Sequence, residues 1–192
     1  MNTGGCEVLH GDGFVLRPIS ECDSSVIVVA SISDVPDWTY VPRDLDDEGA
    51  RAWIRKRIPA RDEGQAVRFV IETDGQLAGT VGAQHPYAHD LGILETFYFV
   101  LPSFRRRGLA TAGLRLLGEW ATTVTPELRR LQLHVIVNNA GSGRVAELAG
   151  YQYEGVAVHQ IPPVNGYGPR DAEVYGKAIR NRAPTDTGGV LA

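Results

Sequence analysis

The chain has 192 residues, 43% of them hydrophobic and 22% charged, with a formal net charge of −4. That is enough chain for one compact domain with a buried core, and the ordinary composition excludes a fibrous or disordered protein. No global basic field recruits nucleic acid, and the longest early apolar run, Val26 to Ala30, is far too short to cross a bilayer.

Cys6 and Cys22 form no CxxC, and no Cys/His cluster has zinc spacing. A reduced, cytoplasmic setting and no metal are therefore expected. Met1 to Phe14 has neither a basic n-region nor an apolar h-region, so no signal peptide is expected. The mild acidity could draw in a cationic amine, but plain solubility is the simpler account of it.

Residues 1–12 and 181–192 read as tails, leaving a single domain over 13–180. Phe14 to Pro18 is a first strand stopped by proline. Ser20 to Ser33 follows as a short helix, and Asp34 to Pro42 as a loop carrying Trp38 and Tyr40. Asp46 to Asp62 has Ala50, Trp53, Ile54 and Ile58 at helical spacing, which predicts one charged helix. Its opening carboxylates Asp44, Asp46, Asp47 and Glu48 suit a helix start; attracting a cationic acceptor is the other use for them.

Val67 to Glu72 and Leu77 to Gln84 are strands joined at Asp74-Gly75, a hairpin signal. Ile93 to Leu101 is a fourth, aromatic-rich strand, and Leu131 to Val137 a fifth. Between them Arg106 to Thr122 reads as a long helix with Leu109, Gly113, Leu116 and Trp120 on one stripe. Gly143 to Ala149 is a short helix with Gly150 as its terminator. Tyr151 to Gln160 and Ala172 to Ile179 are closing strands. The order predicts an α+β domain: a central mixed sheet of about six or seven strands, antiparallel at one end and flanked by helices.

The sharpest signal is the junction Phe97 to Ala110, where a strand enters a turn and then a helix. Gly108 lets the backbone approach a ligand. Free N–H groups of a first helical turn suit a pyrophosphate, and Arg106 and Arg107 add charge beside them. Three arginines opening a helix oppose its dipole at a cost of about 0.3–1 kcal/mol each, which argues for a bound anion. The loop is neither GxxxxGK[ST] nor GxGxxG.

Arg105-Arg106-Arg107-Gly108-Leu109-Ala110 fits a Gln/Arg-x-x-Gly-x-Gly/Ala hallmark, and Asn139 to Tyr151 an Asn-x-x-Ser…Gly-Phe/Tyr segment. In both, and in their spacing, the sequence resembles the GNAT superfamily of N-acetyltransferases over residues 13–180. Phe14 to Pro18 and Arg170 to Tyr175 are similar to the branch that acetylates ribosomal-protein N-termini.

The resemblance implies that the fourth and fifth strands splay and hold the pantetheine of acetyl-CoA against the backbone of Phe99, Val100 and Leu101. The pyrophosphate would lie on the N–H groups of Arg106, Arg107, Gly108, Leu109, Ala110 and Thr111, after Arg105. Asn139 would contact the arm of CoA, with Ser142 nearby. An amine, on a protein N-terminus or a small molecule, would attack the thioester directly, needing a base but no metal.

Glu95 on the fourth strand is the first candidate base; the alternative is a surface carboxylate. His134, five residues before Asn139, is the second; the alternative is a packed strand histidine. The tyrosine acid found in some relatives seven residues after the asparagine is replaced by Ala146. Trp38 and Tyr40 are candidates for the acceptor site or the core, whereas Tyr151 and Tyr153 read as packing residues. The resemblance allows a homodimer and calls for no nucleic acid or membrane partner. Two competing readings are a catalytically silent acyl-CoA-binding module and a phosphate-reading nucleic-acid domain on Arg105 to Arg107, the latter opposed by the net charge of −4.

Overall fold

The computed structural model describes residues 7–87 and 92–179. Along them run β1 (Leu9–Gly11), β2 (Phe14–Pro18), α1 (Ser24–Ser31), α2 (Val35–Trp38), α3 (Asp47–Arg55), α4 (Ile58–Asp62), β3 (Ala66–Thr73), β4 (Gln76–Gln84), β5 (Ile93–Val100), α5 (Leu109–Val124), β6 (Arg130–Ile136), α6 (Ala140–Leu148), β7 (Gln152–Ile161) and β8 (Arg170–Ala178). The strands form one eight-stranded sheet in the order β1-β2-β3-β4-β5-β6-β8-β7. Neighbours are antiparallel except for β5 and β6.

The α+β architecture with a mixed, helix-flanked sheet is the expected one. The eighth strand is β1, which pairs with β2 across Asp12-Gly13, with Gly13 at φ 73°. Residues 9–11 are therefore sheet and not tail. The expected tail 181–192 and Cys6 lie outside the described residues.

The Asp74-Gly75 signal is real: both residues have positive φ, 51° and 69°, the pair a tight type I′ hairpin demands. The single helix expected over Asp46 to Asp62 is two. Its apolar spacing runs on, but Pro59 has no N–H to donate and fits only a first turn, so α3 stops at Arg55 and α4 restarts at Ile58. Asp46 caps α3, its Oδ1 accepting from the Gly49 N–H at 2.8 Å. Asp47 accepts from Ser24 Oγ and Arg51. Asp46 is thus the helix cap, while Asp47 ties α3 to Ser24 at the start of α1 and to Arg51. The expected loop Asp34 to Pro42 contains the single-turn α2, with Pro36 in its first turn.

Two apolar layers sandwich the sheet. On one face α5 buries Leu114, Leu117 and Trp120 against Leu16, Phe69, Ile71, Leu94 and Leu131. Phe69 and Trp120 meet edge to face at 5.3 Å. On the other face α1 and α3 bring Ile27, Ala30, Ala50 and Ile54 against Val70, Phe99 and Leu101. Each fully buried leucine or isoleucine contributes roughly 1.5–3 kcal/mol. The two layers hold β5 rigidly from both sides at the place where the sheet opens.

Candidate active site

The parallel ladder between β5 and β6 has three rungs, Ile93, Leu94 and Glu95 opposite Arg130, Leu131 and Gln132. Beyond Glu95 the strands diverge, as the resemblance implied. Leu101 N–H donates to Ala78 O at 2.8 Å. By strand alternation Phe99 and Phe97 also turn their main chain to β4, while Tyr98 and Val100 turn theirs to the gap. Val100 O already accepts from Arg105 Nε at 3.1 Å. The free strand edge is therefore Tyr98–Val100 and not Phe99–Leu101.

The gap opens into a cleft of about 950 Å3. Of the residues expected there, Phe99, Val100, Arg105, Arg106, Gly108 to Thr111, Asn139 and Ser142 line it. Leu101, packed in the second core layer, and Arg107 do not.

The arginine run does not begin the helix. A 3₁₀ turn over Pro102–Phe104 is followed by Arg106 at φ 64° and by Gly108 at φ 78°, the left-handed cap from which α5 starts at Leu109. The dipole argument for a bound anion thus loses its premise. What remains is the helix end itself, where the N–H groups of Leu109, Ala110 and Thr111 have no intrahelical acceptor and face the cleft.

The three arginines also part company. Arg105 grips Asp34 with both Nη atoms, at 2.8 and 2.5 Å, and holds that carboxyl below the usual carboxylate range. Arg107 lies 5.2 Å from the Phe104 ring. Among the described residues, Arg106 is the one member of the run that lines the cleft without an acid partner.

Across the gap, Asn139 caps α6: its Oδ1 accepts from Ser142 N–H at 3.1 Å. Ser142 Oγ meets Tyr98 OH at 2.6 Å. Burial pushes the Tyr98 phenol up to about 12, partly offset by that bond. The sequence reading missed Tyr98, because the contact joins residues 44 apart; strand alternation across the gap was the available signal. Ala146 is fully buried and offers no hydroxyl.

Glu95 and His134, read as rivals, are partners. Glu95 Oε1 lies 2.9 Å from His134 Nδ1, on the same sheet face and at the mouth of the splay, outside the cleft lining. Their side chains are 24% and 10% exposed, so the pair is nearly dry but reachable. The Tyr40 phenol is pushed up by burial and by the Glu95 charge, against the opposing effect of Arg170. Tyr40 thus stands near the pair, while Trp38 and Thr39 line the cleft itself. Tyr151 is buried and hydrogen-bonded to Thr96 at 3.0 Å, a packing residue as expected, whereas Tyr153 is exposed and meets the Tyr175 ring edge-on at 5.6 Å. Among the described residues no group of His, Cys, Asp and Glu is placed to hold a metal ion, and no helix is long and apolar enough to cross a membrane.

Residues 14–152 match the acetyltransferase (GNAT) domain model. The chain belongs to the GNAT acetyltransferase family. A probable N-acetyltransferase of Bacillus subtilis (strain 168), YjcK, is 30% identical over 121 residues, 62% of this GNAT chain and 66% of that protein. RimL, a ribosomal L7/L12 alpha-N-protein acetyltransferase solved with coenzyme A, superimposes with a TM-score of 0.76 at 19% identity, over 90% of this chain and 98% of that one. Mycobacterium smegmatis RimJ, solved with CoA-disulfide, gives a TM-score of 0.74 at 22% identity, over 90% and 86%. At these identities the two structures speak for a shared GNAT fold.

Proposed function

We propose that this chain transfers an acetyl group from acetyl-CoA to a primary amine, on a protein N-terminus or a small molecule, by direct attack in a ternary complex. The carrying observation is the opened β5–β6 ladder beside a helix N-terminus whose N–H groups are free. Pantetheine would add to the Tyr98–Val100 edge as an extra strand does. The pyrophosphate would lie on the N–H groups of Leu109 to Thr111, with Gly108 and Arg106 beside it. Asn139 and Ser142 bound the arm from the α6 side.

The Glu95–His134 pair then works as one base. An incoming ammonium gives up a proton to it, and the freed lone pair attacks the thioester carbon. The C–N bond forms, the C–S bond breaks, and CoA leaves as thiolate, which takes up the second proton that the nitrogen sheds to become a neutral amide. A free thiol pKa of about 8.5 means it leaves with little help, consistent with Ala146 at the position where some relatives carry an acid. The gap-facing N–H groups of β5 are placed to polarise the acetyl oxygen. A reducing cytoplasm suits the exposed free thiol of Cys22.

Acetyl-CoA should raise the melting temperature, with a gain of roughly 2.7 kcal/mol at about 100 times Kd. Thiol release should then depend on added amine. No thermal shift at millimolar acetyl-CoA would sink the proposal. Ala146 supports one second reading, a silent acyl-CoA-binding module: a shift without thiol release against any of a panel of amines and N-terminal peptides would favour it.

A further inference from the structure

On the Glu95 face of the sheet lies a second cluster of charge that the acetyl-transfer chemistry leaves unused. Arg68 on β3 stands opposite Gly82 on β4, and Gly82 opposite Phe97 on β5. A side chain at 82 would collide with the Phe97 ring, its Cβ falling 2.4 Å from a ring carbon. Glycine there lets Phe97 lie across β4 and meet the Arg68 guanidinium at 4.3 Å. Trp53 of α3 contacts the same guanidinium at 5.0 Å, and Arg57 sits 3.6 Å from the Trp53 ring. Cation and ring alternate through four residues, with Phe97 two positions from Glu95 on the same face of β5.

Among the described residues neither cation has an acid partner. Arg57 donates to Trp53 O, and Arg68 to Thr80 Oγ1. On the same molecule Arg17, Arg55, Arg105 and Arg130 each hold a carboxylate. Burial, then the Arg57 charge, pushes the Arg68 guanidinium below its ordinary range. Arg57 and Arg68 are each partly exposed, whereas the Trp53 indole N–H is buried with no acceptor among the described residues. Two partly exposed arginines held in place by aromatic rings, with no carboxylate on either among the described residues, form a receptor for an oxyanion.

We propose that Arg57 and Arg68 form a subsite for an anionic group, carboxylate or phosphate, on the acceptor, so that the preferred acceptor carries a negative charge beyond its amine. The inference rests on the acetyl-transfer reading above. Glu95 and His134 would meet the amino end and the arginines the anionic end.

Three primary amines of matched chain length, ending in methyl, carboxylate and phosphate, test it. The wild type should show a KM lower by roughly tenfold or more for a charged acceptor, and whichever anion gains identifies the group. Arg68→Met and Arg57→Met keep the stem and the contact with the rings. Each should erase that preference and leave kinetics on the methyl-ended amine unchanged. Equal KM for all three amines in the wild type, or variants that raise KM for all three alike, would overturn the subsite. If no amine is acetylated, the acetyl-transfer reading fails separately. Calorimetry with inorganic phosphate and with acetate then decides: binding lost in Arg68→Met sustains the subsite, and binding that is absent or survives the substitution removes it.

Discussion

Glu95 and His134 are best understood through their 2.9 Å contact. A hydrogen-bonded pair holds its geometry as a unit, so removing either member removes most of what both supply. Glu95→Gln and His134→Gln should each lower kcat at neutral pH by about 10²–10⁴-fold. The double variant should be no slower than the worse single one, since coupled residues are not additive. The deficits should shrink as pH rises and free amine accumulates, with the KM for acetyl-CoA nearly constant. Single losses that multiply in the double variant would mean two independent roles.

At the scale of the element, the loop between β5 and α5 decides how the helix end is presented. A Cβ at Gly108 would meet no protein atom within 4 Å, so crowding by the protein itself is not what keeps glycine there. Its φ of 78° is: a left-handed residue with a side chain costs about 1–2 kcal/mol, most for β-branched types and least for asparagine. Gly108→Val should therefore weaken acetyl-CoA binding by tilting the loop and its N–H groups, while Gly108→Asn stays close to wild type in calorimetry. Equal affinity for both variants would show that this backbone is not part of the binding surface.

Elements of this kind were legible where one periodicity ran unbroken, as in β3, β4, β5 and α5. The break between α3 and α4 hid because Ile58 continues the apolar spacing while Pro59 ends the hydrogen bonding. β1 hid despite its Asp12-Gly13 turn because three residues carry too little pattern. Individual site residues could be named from the motif, but the Glu95–His134 and Tyr98–Ser142 contacts depend on register and on where the parallel ladder stops, which no local pattern encodes. The Arg57–Trp53–Arg68–Phe97 run draws on three separate elements and was invisible for the same reason.

For the molecule as a whole, buried phenols set the alkaline limit. Tyr98 and Tyr151 are both pushed up to about 12 by burial, each partly offset by its hydrogen bond, against about 10 for an unfolded tyrosine. The fold favours their neutral forms. Their contribution is complete below about pH 10 and is lost as pH climbs towards about 12. Thermal melts across that range should fall in the wild type and fall less in Tyr151→Phe. An equally deep fall in that variant would place the alkaline sensitivity elsewhere.

The three-rung ladder between β5 and β6 bears on the life of the protein between turnovers. A sheet that stops pairing half-way leaves a seam where main-chain amides at Tyr98 and Val100 face water instead of a neighbouring strand. Whatever fills that seam acts as a removable strand, and its concentration becomes part of the folding equilibrium. The chain should then resist opening and proteolysis best when the cell is rich in acetyl-CoA and be shorter-lived when acetyl groups are scarce. Its abundance would follow the supply of its own donor without any separate regulatory site.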